Sequence, residues 1–166
     1  MTETWTVYES PLGYLTVVLS PRGALRGIRF PGGTRPPAAA RRPAPRVSAQ
    51  LDEYFGGGRR EFELDVELSG SAFQRSVWER LRHIPYGSTR SYGTIVEELA
   101  GSAFPAGLEP HERARAVGAE VGRTPVPIVI PCHRVIGADG SLTGYGGGLE
   151  RKRALLDLES SQLALL

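Results

Sequence analysis

The chain has 166 residues, 40% of them hydrophobic and 23% charged, which is the length and apolar content of one large or two small folded domains. Wholesale disorder is excluded by that content, and no apolar run reaches the roughly 18 residues a membrane span needs. A net charge of +2 is too mild to argue for nucleic acid unaided. Lys152 is the sole lysine, so the basic residues are otherwise all arginine, which suits bidentate phosphate contacts but also follows from a bias toward Arg, Ala, Gly and Pro. The single cysteine, Cys132, excludes an internal disulfide. With only His83, His111 and His133 beside it, a zinc site of four Cys and His ligands is not expected. The opening MTETWTVYES shows no secretory signal, and a reducing cytoplasm is the expected compartment.

From Trp5 to Phe30 the signals are β: the run Leu15 to Leu19, the turn Pro21-Arg22-Gly23, then Ile28 and Phe30 flanking Arg29. Residues 31–46, with five prolines and little to bury, read as a loop or linker. Val47, Leu51, Tyr54 and Phe55 have helical spacing and Gly56 to Gly58 stop the helix. Phe62, Leu64, Val66 and Leu68 alternate with acidic residues, which predicts a half-buried strand. These elements make a small α+β domain over 1–69.

Beyond it the period becomes helical. Ser71 and Gln74 form a capping box ahead of the stripe Phe73, Val77, Leu81 and Ile84, and Pro85-Tyr86-Gly87 ends that helix. Ser91 caps the next, with Tyr92, Ile95, Val96 and Leu99 on one face. After a long connector over 101–110, a helix is predicted from about His111 with Ala114, Val117 and Val121 on one face. Val126 to Ile130 reads as a buried strand or extended run, and Arg151 to Leu158 as a closing helix. Two short helices around a connector are compatible with a helix-turn-helix or a plain helical hairpin.

Cys132 ends an apolar run at a proline break, beside His133 and Arg134. A lone cysteine is otherwise a small buried hydrophobe, but these neighbours would stabilise a thiolate on a loop that could expose it. His133 is the obvious base, although adjacent side chains in an extended chain point apart, so a bend or a bridging water is required. The helix around Arg115 is rich in Ala and Gly, with Ala114, Ala116, Gly118 and Ala119, a shallow face that fits helix packing or close approach to nucleic acid. Tyr145, between glycines, fits a lid or a turn. Gly144 to Gly148 lack a phosphate-loop pattern.

The segments FQRSVWERLRHIPYGSTRSYGTI, RARAVGAEVG and IPCHRVIGADGSLTGYGGGLERKRALLDLE resemble the O6-alkylguanine-DNA alkyltransferases (methylated-DNA–protein-cysteine methyltransferases) over residues 70–159. ESPLGYLTVVLSPRGALRGIRF is similar to the family's ribonuclease-H-like N-terminal domain, and 160–166 lie outside the match as a tail. The resemblance implies an α+β protein whose mainly helical C-terminal domain contains a helix-turn-helix, and transfer of an alkyl group from duplex DNA to Cys132 after base flipping. It implies His133 as water-mediated base, Glu159 as the carboxylate orienting it, and Tyr92 as the donor to guanine N3. Arg115 would fill the vacated stack, with Ala114, Ala116 and Gly118 as small groove-facing residues. Pro127, Val135, Tyr145, Gly146 and Gly147 would line the base pocket. No cofactor, metal, membrane or obligate protein partner is implied, and the zinc ligands of some relatives have no counterparts. Thr124 stands where the family has a hinge asparagine, and the 101–110 connector exceeds the family's usual turn. The alternatives are a non-catalytic sensor of alkylated DNA, from whose family the intact cysteine separates this chain, and a Cys-His acyl hydrolase, for which no oxyanion hole is visible.

Overall fold

A computed structural model describes residues 2–33, 37–101 and 104–164, and they divide into two compact units. The first comprises the chain to Leu68 together with Pro125–Pro127, and the second comprises the rest. Among the described residues no helix is long and apolar enough to cross a membrane.

The first unit is built on an antiparallel sheet of β1 (Thr4–Ser10), β2 (Gly13–Leu19) and β3 (Leu25–Arg29), in that order. Leu15, Val17 and Val18 of the central strand are all buried, so this run is covered on both faces. Helix α1 (Pro45–Phe55) buries Val47, Leu51 and Tyr54, and begins at Pro45, whose missing N–H costs nothing in the first turn. Tyr8 of β1 donates to Asp52 of α1 at 2.7 Å. Within the expected 31–46 loop, residues 34–36 lie outside the described residues. The remainder holds a short 3₁₀ turn at Ala38–Ala40 and a bridge from Arg41 to Trp5, before α1 takes its last two residues.

The strand expected over 62–68 is instead an extended segment with one bridge. Leu25 donates to Asp65 and accepts from Glu67, while the Gln50 side chain binds both backbone groups of Glu63. A glutamine thus occupies the hydrogen-bonding positions a neighbouring strand would take, and alternation alone cannot reveal that.

In the second unit α2 (Ala72–Leu81) starts with both halves of the Ser71–Gln74 capping box in place and buries Phe73, Val77, Trp78 and Leu81. Helix α3 (Tyr92–Glu98) is capped by Ser91, whose hydroxyl accepts from the Thr94 N–H at 3.1 Å. Helix α4 (Arg113–Gly122) follows a 3₁₀ turn over Pro110–Glu112 and packs on both α2 and α3. The indole of Trp78 donates to the Glu120 carbonyl of α4 at 2.8 Å. Val117 and Val121 are buried, whereas Ala114, expected on the same face, is exposed, because it lies in the first turn of α4, ahead of the buried stripe.

No strand forms over 126–130. That segment turns at Ile128, the one non-glycine among the described residues with a positive φ (76°), a costly conformation for a β-branched side chain. A second turn, 3₁₀, spans Cys132–Arg134. It leads into β5 (Val135–Ile136), which pairs in parallel with β4 (Arg90–Ser91). The closing helix α5 (Leu149–Ala164) extends beyond both ends of the expected 151–158, so residues 160–164 continue a helix rather than forming a tail. Its C-terminal turn explains Gly87: a Cβ there would collide with the Leu163 side chain, and the backbone φ is +76°.

Candidate active site

Three local features bring the chemistry together in the second unit. The 3₁₀ turn replaces extended geometry at Cys132–Arg134, so consecutive side chains need not point to opposite faces. The β4–β5 pairing sets Ser91 opposite Ile136, which fixes the start of α3, and with it Tyr92, against the chain leaving that turn. Helix α5 supplies Lys152 and Glu159, seven positions apart and therefore on one face.

His133 and Glu159 are fully buried, and the His133 Nε2–H donates to Glu159 Oε2 at 2.7 Å. That bond assigns the ring proton to Nε2 and leaves Nδ1 as an acceptor; Nδ1 bonds no group among the described residues. Arg134 Nε donates to Glu159 Oε1 at 2.6 Å, and Arg134 Nη1 donates to the Ile84 carbonyl at 2.7 Å. Burial works against the charge on Glu159, but hydrogen bonds and charge from His133 and Arg134 outweigh it and hold its pKa at about 2. Burial lowers the pKa of His133, so the imidazole rests neutral.

Cys132 is buried, contrary to the expectation of an exposed loop thiol. Burial pushes its pKa up to about 11, against the pull of the Thr124 hydroxyl, the Lys152 charge and the Tyr145 hydroxyl. The proline break turns the chain inward here, and the neighbouring arginine is committed to Glu159 instead of the sulfur. The resting thiol is therefore protonated and needs a base at the moment of reaction.

Lys152 is the residue that sequence reading missed. Its stem is buried and its ammonium donates to the carbonyls of Val135 at 2.5 Å and Thr143 at 3.0 Å. Its singularity as the only lysine was a signal, but only the fold shows that it is inside. Tyr92 donates to the same Thr143 carbonyl at 3.1 Å, and the Lys152 ammonium lies 6.0 Å from its ring centroid. The Thr124 hydroxyl donates to the Val121 carbonyl at the end of α4 at 2.7 Å.

Of the other expected pocket residues, Val135 is buried beside the 3₁₀ turn and Gly147 is buried two residues ahead of α5, where its carbonyl accepts from Arg151 at 2.9 Å. Gly146 is exposed, and a Cβ on it would meet the Gly122 carbonyl at 3.3 Å. Pro127 is buried and clusters with the first unit. On α4, Arg115 and Ala114 are exposed, whereas Ala116 and Gly118 are half-buried, with Gly118 facing the Tyr92 ring. Ala119 and Gly122 extend the exposed small-residue face beside Arg115 and were not singled out in the sequence.

The geometry matches a described family. The DNA binding domain of 6-O-methylguanine DNA methyltransferase matches residues 72–161, and that family's ribonuclease-like domain matches residues 4–68. A methylated-DNA–protein-cysteine methyltransferase of Mycolicibacterium paratuberculosis is 46% identical over 91% of this chain and 88% of its own length. One from Methanosarcina acetivorans is 37% identical over 95% of this chain and 98% of its own. Among solved structures, Mycobacterium tuberculosis OGT in complex with DNA superimposes with a TM-score of 0.84 at 42% identity, covering 96% of this chain and 94% of that one.

Proposed function

For a chain that belongs to the methylated-DNA–protein-cysteine methyltransferase family, we propose that Cys132 is the acceptor of an alkyl group from O6-alkylguanine in duplex DNA, used once per molecule. The observation that carries this reading is the buried His133–Glu159 pair, bonded through Nε2 with Nδ1 left to accept, one residue from the only cysteine. A neutral imidazole in that tautomer can take the thiol proton, and the ionised Glu159 then stabilises the imidazolium. The relay places the charge where Glu159 already neutralises Arg134.

The target carbon lies inside the base stack, so the nucleotide rotates out at a cost of a few kcal/mol. Arg115, exposed on a helix face otherwise made of Ala and Gly, occupies the space left behind. The thiolate attacks the alkyl carbon in line; the S–C bond forms as the C–O6 bond breaks, and the electron pair stays on the base. Tyr92 exchanges its bond to the Thr143 carbonyl for one to the base and neutralises the developing anion. In sum, a thiol and an alkylated guanine become a thioether and guanine, with the thiol proton balancing the one delivered to the base. Thioethers resist hydrolysis, which makes the protein single-use.

Incubation with duplex DNA carrying O6-methylguanine, read by intact mass, tests the reading. A gain of one methyl group confined to Cys132 is expected, and Cys132→Ser is expected to bind DNA and gain nothing. Repeated turnover, or binding by the intact protein with no methyl gain, overturns it in favour of a hydrolase or a sensor.

A further inference from the structure

The connector between α3 and α4 carries an aromatic contact that nothing in the reaction above requires. Phe104 is half-buried, and its ring centroid lies 5.4 Å from that of Phe73 on α2, tilted by 43°. On its other side the guanidinium carbon of Arg113, the first residue of α4, lies 4.8 Å from the Phe104 centroid. The Nε of Arg113 is buried and bonds no group among the described residues, and Arg113 makes no ion pair among them. An arginine at a helix start opposes the helix dipole, so a position there needs some other favourable contact. The ring face supplies it, as does the enclosure of the stem.

We propose that Phe104 is a positioning residue for the DNA-reading helix: wedged between Phe73 and Arg113, it fixes the start and the rotation of α4. The claim rests on the proposed role of that helix in duplex DNA. Successive residues of a helix advance by about 100°, so side chains two apart point to nearly opposite sides. Holding Arg113 inward against Phe104 therefore holds Arg115 outward, where it is exposed. Phe73 is a firm anchor, since it is buried in the first turn of a helix with a complete capping box. The chain just before α4 is fixed independently by the 3₁₀ turn, where the Glu109 N–H donates to the Glu112 carboxylate at 3.0 Å and the Glu112 N–H donates to the Glu109 carbonyl at 2.9 Å. Phe104 is thus a brace between α2 and α4.

The test compares transfer from duplex DNA with transfer from a free O6-alkylguanine base, alongside hydrogen exchange of the α4 amides. Phe104→Ala is expected to slow duplex transfer about five- to tenfold, the range for losing one aromatic pair and one cation–π contact. Free-base transfer, which reports that the protein is folded, is expected to stay within about twofold, and exchange in the first turns of α4 to quicken. Arg113→Ala is expected to match it without adding to it in the double variant, and Phe104→Tyr to restore wild-type behaviour. Wild-type duplex transfer and exchange in Phe104→Ala overturn the proposal, as does an equal loss on both substrates. Loss in Arg113→Ala alone, with a salt dependence reduced by about one ion, makes Arg113 a phosphate contact instead. If the wild type takes no alkyl group from duplex DNA, the functional reading fails, while exchange in α4 still decides the brace.

Discussion

The two units share exposed ion pairs and differ in what they bury. In the first, arginines pair with carboxylates in water: Arg22 with Glu67 at 3.0 Å, Arg26 with Glu3 at 2.9 Å and Arg59 with Glu53 at 2.6 Å, each with at least one partner substantially exposed. Such pairs contribute about 0–1 kcal/mol, and the unit is held by Leu15, Val17, Leu51 and Tyr54. The second has such pairs as well, Arg123 with Glu120 at 2.9 Å among them, but in addition His133, Arg134, Lys152 and Glu159 are withdrawn from water together. Desolvating four ionisable groups is a poor route to stability, because an apolar cluster of the same volume would do as well or better. The chemistry proposed at Cys132, next to His133 in the chain, gives that burden a use.

Removing one charge from each unit sharpens that contrast most. Glu159→Gln leaves the buried Arg134 uncompensated and is expected to cost about 3–5 kcal/mol in chemical denaturation. Arg22→Ala, in the exposed pair, is expected to cost less than about 1 kcal/mol. Similar small costs in both variants would erase the distinction between the units.

Acid titration addresses the same cluster with a comparable but smaller effect. Glu159 has its pKa depressed from 4.5 to about 2, so its contribution is full above 4.5 and is lost as pH falls through about 2. The shift corresponds to about 3 kcal/mol. His133, with its pKa lowered below 6.5, adds in the same direction: the unfolded chain takes up a proton first, so stability begins to fall below 6.5. The thiol works at the other end. Raised from 9.0 to about 11, it ionises first in the unfolded chain, and stability declines between those values. Stability measured across pH in wild type and Glu159→Gln checks the acid limb, which flattens between 4.5 and 2 in the variant if Glu159 is its source.

Much of this was legible from residues with local consequences. The capping box at Ser71, the cap at Ser91 and the glycine stop after Phe55 act within four residues of themselves, and each forms as its spacing implies. The Cys132, His133 and Glu159 set was legible through resemblance, and the structure brings His133 and Glu159 within hydrogen-bonding distance. Features set by distant partners were not legible. The 62–68 segment lost its strand to a glutamine on α1, and Lys152 looked like one of three basic residues at the start of a helix until two carbonyls drew it inside. Ile128 belongs with these, since nothing in an isoleucine announces a positive φ.

A smaller effect is expected at Tyr92. Its hydroxyl is bonded in the resting site to the Thr143 carbonyl, so Tyr92→Phe removes one hydrogen bond from the ground state and one from the transition state. Only the latter grows as charge builds on the base, so single-turnover transfer is expected to slow about tenfold to hundredfold with DNA affinity little changed. A loss of affinity without a loss of rate would move Tyr92 from chemistry to binding.

The smallest effect expected is at Thr124, where the buried cluster meets the end of α4. Its hydroxyl has a single proton, which goes to the Val121 carbonyl at 2.7 Å, and the same hydroxyl favours the ionised form of Cys132. Once the thiol ionises, sulfur becomes the better acceptor and competes with Val121 for that proton. Thr124→Val keeps the shape and removes the hydroxyl, so it is expected to cost about 1 kcal/mol of stability and to raise the thiol pKa further. Thr124→Asn offers two amide protons, enough to serve the carbonyl and the thiolate together. It is therefore expected to lower the thiol pKa and to speed free-base transfer about two- to fivefold, with no loss of melting temperature. If melting temperature and rate both fall in Thr124→Asn, the junction is fitted to a threonine and the competition for its proton is not what limits the thiol.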